Sequence, residues 1–222
     1  MSEFVFGTTS ALTGWTLKSR SNNVTTSWDD GMDGEGFWTG SQSFDTKTEV
    51  SESYEADLAD DVTAPTLGTV TGVCTTSVSM TKTAGAKATM SITKHSHAEN
   101  STANGSYSWD LSDYIDGSGW GCCTPPVGTA PEDGSILSWG ITFNLQHEEL
   151  NDCDGDHLNA ESYGPTIECT VEVVGDTPYA LVSEDVTAGW ELVSTSVGSK
   201  SPGFTSSKST FRNRLAKPVV TP

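Results

Sequence analysis

The stretch Asp152-Cys153-Asp154-Gly155-Asp156 has the residue types and spacing that come nearest to chemistry. Alternate carboxylates around a glycine can converge on a hard cation such as calcium. With Asp152 as first ligand, an EF-hand loop needs a bidentate Glu at the twelfth position. This chain has Tyr163 there, and Glu161 comes two residues early. Helical patterning on either side is also missing. Asp152, Asp154 and Asp156 therefore remain a partial calcium candidate, and a solvated acidic loop tip is the plainer reading. The four histidines give a second pattern. His95 and His97 point to one side of an extended strand, a spacing that can hold a transition metal with a nearby acid such as Glu99, while His147 and His157 lie further on. An H-x-H pair on a loop is commonly incidental.

Catalytic motifs are absent from the sequence. There is no G-x-S-x-G elbow, no phosphate loop and no G-x-G-x-x-G before a helical pattern. Glu148-Glu149 offers two carboxylates for glycosidase-type acid–base work, but in a chain with 30 acids such a pair carries little information. The expectation is a protein that is not an enzyme, has no catalytic residue and needs no cofactor or metal. Trp38 and Trp120 are better candidates for contact surfaces, and most other aromatics fall on alternating strand faces that suit core packing.

The elements that must position these residues are strands. From Ser135 to Val174 the chain reads as two long strands joined by an acidic loop, about Glu148 to Pro165. Leu137, Trp139, Ile141, Phe143 and Leu145 alternate with polar residues in the first; Ile167, Cys169, Val171 and Val173 do so in the second. Period two means one buried face and one wet face. Val78 with Met80, and Ala88 with Met90 and Ile92, form two further faces around the turn Ala84-Gly85-Ala86, which reads as a hairpin. Tyr107, Trp109 and Leu111 mark another strand. Near the start, Trp15 and Leu17 share a side. Asp29 to Gly36 is a turn cluster, and Phe37–Phe44 and Thr46–Tyr54 are strand candidates. Glu55 to Asp61 reads as a helical turn or linker. The C-terminal part offers strands near Trp190–Ser196 and Thr205–Leu215, the latter with Phe204 and Phe211 as anchors. Gly14-Trp15-Thr16-Leu17-Lys18-Ser19 is echoed by Gly189-Trp190-Glu191-Leu192-Val193-Ser194, which places terminal strands in equivalent positions of a sheet or ring. No helix of ordinary length is expected. The fold class is all-β: an antiparallel β-sandwich or barrel-like domain with long loops and extended termini.

Composition sets bounds on function. At 222 residues the chain can bury a real core. The net charge of −19 argues against a grip on nucleic acid, which needs a basic footprint. Residues 1–191 hold all 30 acids and six of the 11 bases; residues 192–222 hold the other five bases and no acid. This divides the chain into a main β domain, 1–191, and a basic C-terminal strand or extension, 192–222. Such an extension either docks on a neighbouring copy of the acidic body or stays solvated. No run reaches the ~20 apolar residues of a membrane helix, and the first residues carry no secretory pattern. Cytosolic assembly is the expectation, with reduced thiols at Cys74, Cys122, Cys123, Cys153 and Cys169. The Gly/Pro-rich segment Asp113–Pro131, which contains the vicinal Cys122-Cys123 pair, is long enough to be functional or covered by a partner.

The run from Ser138 to His147, the acidic loop Glu148–His157 and the strand Thr166–Val174 together resemble the later half of tail-tube-type virion proteins of tailed bacteriophages. Gly14–Ser19, the turn Asp33–Gly36 and Phe44–Ser51 resemble the opening of that family. The resemblance implies subunits that close in sixes into rings with a β-lined channel, and rings that stack head to tail with other virion proteins at their ends. An acidic channel lets DNA pass without sticking. It places the protein in the virion, assembled in the host cytoplasm, with no membrane partner. Asp113–Pro131 is the candidate for the family's long stacking arm. Trp120, Cys122, Cys123, Arg212 and Arg214 are the expected assembly residues. The alternatives are a surface-exposed β-sandwich module binding glycan or a protein receptor, and a capsid decoration or connector protein.

Overall fold

The computed structural model describes residues 12–57, 61–70, 73–97, 108–115, 124–132, 134–151, 157–201 and 204–216. They form an all-β, antiparallel, sandwich-like fold. In chain order the elements are β1 (Trp15–Met32), β2 (Trp38–Ala56), β3 (Thr66–Val70), β4 (Val73–Thr83), β5 (Thr89–His97), β6 (Ser108–Asp110), β7 (Ile136–Asn151), β8 (His157–Val174), α1 (Ser183–Thr187), β9 (Glu191–Ser201) and β10 (Phe204–Arg214). The main sheet runs β1-β2-β5-β4-β7-β8-β10-β9, and β3 leaves it from β4 to pair with β6.

Alternation in β7 and β8 sets the register. Trp139 faces Val171, Ile141 faces Cys169 and Phe143 faces Ile167, and all six side chains are buried. A slip of one residue would put all of them in water, so the pairing is strongly specified. β4 continues the same face, with Val78 opposite Phe143 and Met80 opposite Ile141. Val78 also pairs Ile92 and Met80 pairs Met90. The two apolar sets around the Ala84–Ala86 turn therefore lie on one face of the sheet and not on two. Phe211 of β10, opposite Cys169, closes the other end.

A smaller layer covers this face. Leu67 of β3, Trp109 of β6 and the following Leu111 and Ile115 pack into the same core, with Val62, Val127 and Tyr179. Tyr114 meets Phe143 and Trp190 edge-on, at centroid distances of 5.6 and 6.4 Å, a favoured aromatic geometry. The Trp109 indole donates to the Ala216 carbonyl at 2.8 Å and so fixes the end of β10 against β6.

Several elements differ from the sequence expectation in extent. The loop expected over 148–165 is mostly strand, because Gln146–Asn151 pairs with His157–Tyr163, with a register shift after Asn144. Phe37–Phe44 and Thr46–Tyr54 are parts of one strand, β2, which runs on to Ala56 and so takes in the first two residues of the stretch Glu55–Asp61 read as a helical turn or linker; residues 58–60 lie outside the described residues. Trp15 is buried and its indole N–H donates to the Thr63 carbonyl at 3.0 Å, but Leu17 lies further along the edge strand and is exposed. The basic segment supplies β9 and β10, which belong to the same sheet as the rest.

Candidate assembly surfaces

The sheet path has two ends. Among the described residues, no strand pairs with the outer side of β1 or of β9. Both edges begin with the echoed Gly-Trp. Gly14 and Gly189 have φ of +78° and +92°, and Trp15 and Trp190 are buried beside them. The echo thus marks one local device used twice: a left-handed glycine turns the chain and an indole pins the start of an edge strand. β9 exposes Leu192, Val193 and Val197, and its only charges, Glu191 and Lys200, sit near its ends.

β1 and β2 extend well past the rest of the sheet. β5 pairs β2 only from Lys47 to Glu55, whereas β1 and β2 stay paired out to Met32 and Trp38. The part of β1 beyond Thr25 is a two-stranded ribbon with no third strand among the described residues, roughly 25 Å long at ~3.4 Å per residue. Its turn is closed by Asp33, whose carboxylate accepts from the backbone N–H of Glu35 at 3.0 Å and of Phe37 at 2.8 Å. Trp28 and Met32 lie on one face of the ribbon by alternation, and Trp38 is the cross-strand partner of Met32. Their exposures are 63%, 68% and 65%. The sequence singled out Trp38, the turn and the strand Phe37–Phe44, but the β1 half of the ribbon was hidden because its polar residues lack an apolar face that alternates throughout.

The uncovered face of the main sheet is built from hydroxyls. Ser79 and Thr142 meet at 3.1 Å, the Ser77 hydroxyl donates to Asn144 at 3.0 Å, and Thr170 and Thr210 meet at 3.4 Å, all across strand pairs. Such pairs explain much of the Ser/Thr richness. On β10 the same face carries Lys208, Arg212 and Arg214, opposite Glu172, Glu168 and Thr166. Glu172 is held by the Ser206 and Ser138 hydroxyls at 2.9 and 3.3 Å. Beside Arg212 lies a groove of about 400 Å³ whose lining includes Thr142, Asn144, Thr166 and Glu168.

A polar row crosses five adjacent strands nearer the β1 edge. Glu49 and Cys74 both lie opposite His95, and His147 lies opposite Ser162. The Ser162 hydroxyl joins the two halves, 2.9 Å from His147 Nδ1 and 3.2 Å from Cys74 Sγ. The two imidazoles stack at 5.9 Å, and the Glu49 carboxylate sits 3.8 Å from His95 Nε2. A hydroxyl beside an imidazole is the raw material of nucleophilic catalysis. Here Ser162 and Cys74 are buried, which closes them to a substrate, while Glu49 at the far end of the row is exposed. His95 finds its neighbours across strands. His97 and His157 end β5 and begin β8. Among the described residues, no group of three or more His, Cys, Asp or Glu is arranged to hold a metal ion.

Of the residues expected to act, Arg212 and Arg214 fall on the open face of β10. Trp120, Cys122, Cys123, Asp152, Asp154 and Asp156 lie outside the described residues. On the outer side of β1, β2 and β5, Lys87 and Lys18 flank Glu55 at 2.8 and 3.4 Å. The hydrogen bond from Lys87 and the charge of Lys18 hold its carboxyl below the usual range. No described helix is long and apolar enough to cross a membrane. No protein-family model matches the chain, and no curated protein matches it.

Proposed function

We propose that this chain is a self-assembling virion subunit, a phage tail-tube protein whose copies close in sixes into rings and stack around a channel for DNA. The observation that carries the reading is that, among the described residues, β1 and β9 stand unpaired on their outer sides at opposite ends of one sheet, and that β9 is unguarded. Natural sheets protect a long free edge with prolines, central charges or a covering element. β9 has no proline, and its two charges lie near its ends. When the edges of copies pair head to tail, every edge is used, and the assembly closes if the rotation per subunit divides a circle. The charge of −19 keeps phosphates from adhering to such a tube.

The test is negative-stain electron microscopy over a concentration series, with Val193→Lys/Val197→Lys alongside the wild type. Both valines are exposed, so the double variant keeps its circular dichroism and melting point. The expected outcome is rings or tubes with a central hole wide enough for duplex DNA, lost in the variant because lysine guards an edge. A wild-type protein that is monomeric throughout refutes the reading. That result would favour the second one, a surface module that binds a glycan or protein receptor through the exposed Trp28 and Trp38.

A further inference from the structure

The β1–β2 ribbon calls for a partner. A two-stranded hairpin is marginally stable alone in water, and this one holds two tryptophans and a methionine on one exposed face. Between Ser21 and Thr46 the sequence has five acids and no Lys or Arg, and Asp30 lies between Trp28 and Met32 on the apolar face. Whatever covers it presents positive charge beside a cavity that accepts an aromatic ring.

The same chain has such a surface. Lys208, Arg212 and Arg214 share the open face of β10, spaced over roughly 20 Å of strand. Among the described residues, none of the three side chains makes an ion pair. The groove of about 400 Å³ beside Arg212 accommodates an indole, with the guanidinium at its wall. Arginine over a tryptophan face is the preferred cation–π pair, and aromatic and arginine side chains are the usual anchors of interfaces. Glu168 and Glu172 lie on this face too, and Glu172 is already taken up by two hydroxyls.

We propose that the apolar, acidic face of the β1–β2 ribbon docks into the groove beside Arg212 on a second copy of this chain. The contact deepens the assembly reading by naming a surface and its occupant, but it is separate from edge pairing. Trp28 or Trp38 fills the groove against Arg212. Asp30 and Glu35 face Arg214 and Lys208. The contact covers the exposed face of the ribbon, and the bases of β10 find counter-charges that no ion pair among the described residues gives them.

A charge swap tests it. Asp30→Lys/Glu35→Lys leaves the Asp33 turn intact, and Lys208→Glu/Arg212→Glu/Arg214→Glu changes only the open face. Sedimentation velocity is run on each variant and on their mixture. Each alone associates at least about tenfold more weakly than wild type at low salt, and the loss shrinks at high salt as screening removes the wild-type advantage. The mixture recovers association, because one variant supplies an unaltered ribbon and the other supplies the intact basic face. Wild-type association in both variants, or a mixture no better than its parts, overturns the proposal. Val193→Lys/Val197→Lys separates the two readings. If that variant associates normally while the charge variants fail, the edge reading falls and this one stands; if only that variant fails, the reverse holds. A wild-type chain monomeric at every concentration overturns both.

Discussion

Among the described residues, Glu52 is the one charged side chain in the core, and it allows a quantitative test of how the β1–β2–β5 end is held. It sits on the core face of β2, opposite Ile92 and Arg20. One carboxylate oxygen takes the Lys94 ammonium at 2.7 Å and the Tyr54 hydroxyl at 2.9 Å. The other lies 3.6 Å from Arg20 Nε, too far for a hydrogen bond. The Glu52 side chain is 0% exposed, Lys94 15% and Arg20 26%. Glu52→Gln keeps the volume and one acceptor but removes the charge, leaving a nearly buried ammonium without its counter-ion. Removing one partner of a buried pair costs about 3–5 kcal/mol. The retained amide and the partial hydration of Lys94 place this case at the low end, about 3 kcal/mol. For a chain of this size that is a fall of roughly 6–12 °C in Tm. Urea titration followed by tryptophan fluorescence measures it, at a concentration below that of assembly, since association stabilises the folded chain by mass action. Lys94→Met in the Glu52→Gln background removes the orphaned charge, so the double variant is at least ~1 kcal/mol better than the sum of the singles. A Glu52→Gln variant within ~0.5 kcal/mol of wild type, or strict additivity, would refute the claim that this cluster is a coupled, buried ion pair.

Two further outcomes follow from the core and the edge. Burial pushes the Cys169 thiol up to about 12, and burial, with the charges of Cys169 and Asp185, does the same for Tyr179. Both folded values exceed the unfolded ones, so the stability they contribute is whole below pH ~8.5, where the free thiol titrates, and is lost as pH rises towards 12. The urea midpoint should therefore fall steadily above pH ~8.5, and a thiol reagent should reach Cys169 only on unfolding. Gly14→Ala should be far worse than Gly85→Ala. A methyl at Gly14 would stand 2.3 Å from the Asp61 carbonyl, whereas one at Gly85 meets nothing within 4 Å. The Gly85 variant carries only the left-handed backbone cost of about 1–2 kcal/mol; equal melting points for the two would contradict the close approach at Gly14.

Legibility in the sequence followed burial. Where one face is fully buried, as from Trp139 to Phe143 and Ile167 to Val173, strict alternation named the strands, the register partners and the core. Where neither face is buried, the pattern vanished. β1 beyond Thr25 has no buried face, so the sequence announced the turn and the strand after it, Phe37–Phe44, but not the strand that enters it. The extension of β7 and β8 past the Asn144 register shift was hidden for a different reason. The polar run Gln146–Asn151 pairs with His157–Tyr163 through backbone hydrogen bonds, which leave no mark on side-chain polarity. The polar row was invisible because Glu49, Cys74, His95, His147 and Ser162 come from five strands and share no local spacing.

Under the proposed edge pairing, the Gly-Trp echo gains a role in assembly. Repetition of six residues in so short a stretch is weak evidence of duplication, and β1 and β9 do not occupy neighbouring positions. They occupy corresponding ones, each the last strand at its own end of a single sheet. In a monomer, a buried tryptophan behind a left-handed glycine anchors the start of each edge strand to the core. In a chain that pairs edge to edge it has a second use: the offset between the two edges sets the register of every contact, and one mispaired residue moves all outward side chains to the wrong face. Trp15 and Trp190 then act as two reference points, one at each edge, that hold the start of each strand against the core. On this argument, replacing either with leucine should leave the alternating core of β7 and β8 intact. It should also broaden the distribution of assemblies seen by electron microscopy, and a distribution as narrow as wild type would remove the link between the echo and the edges.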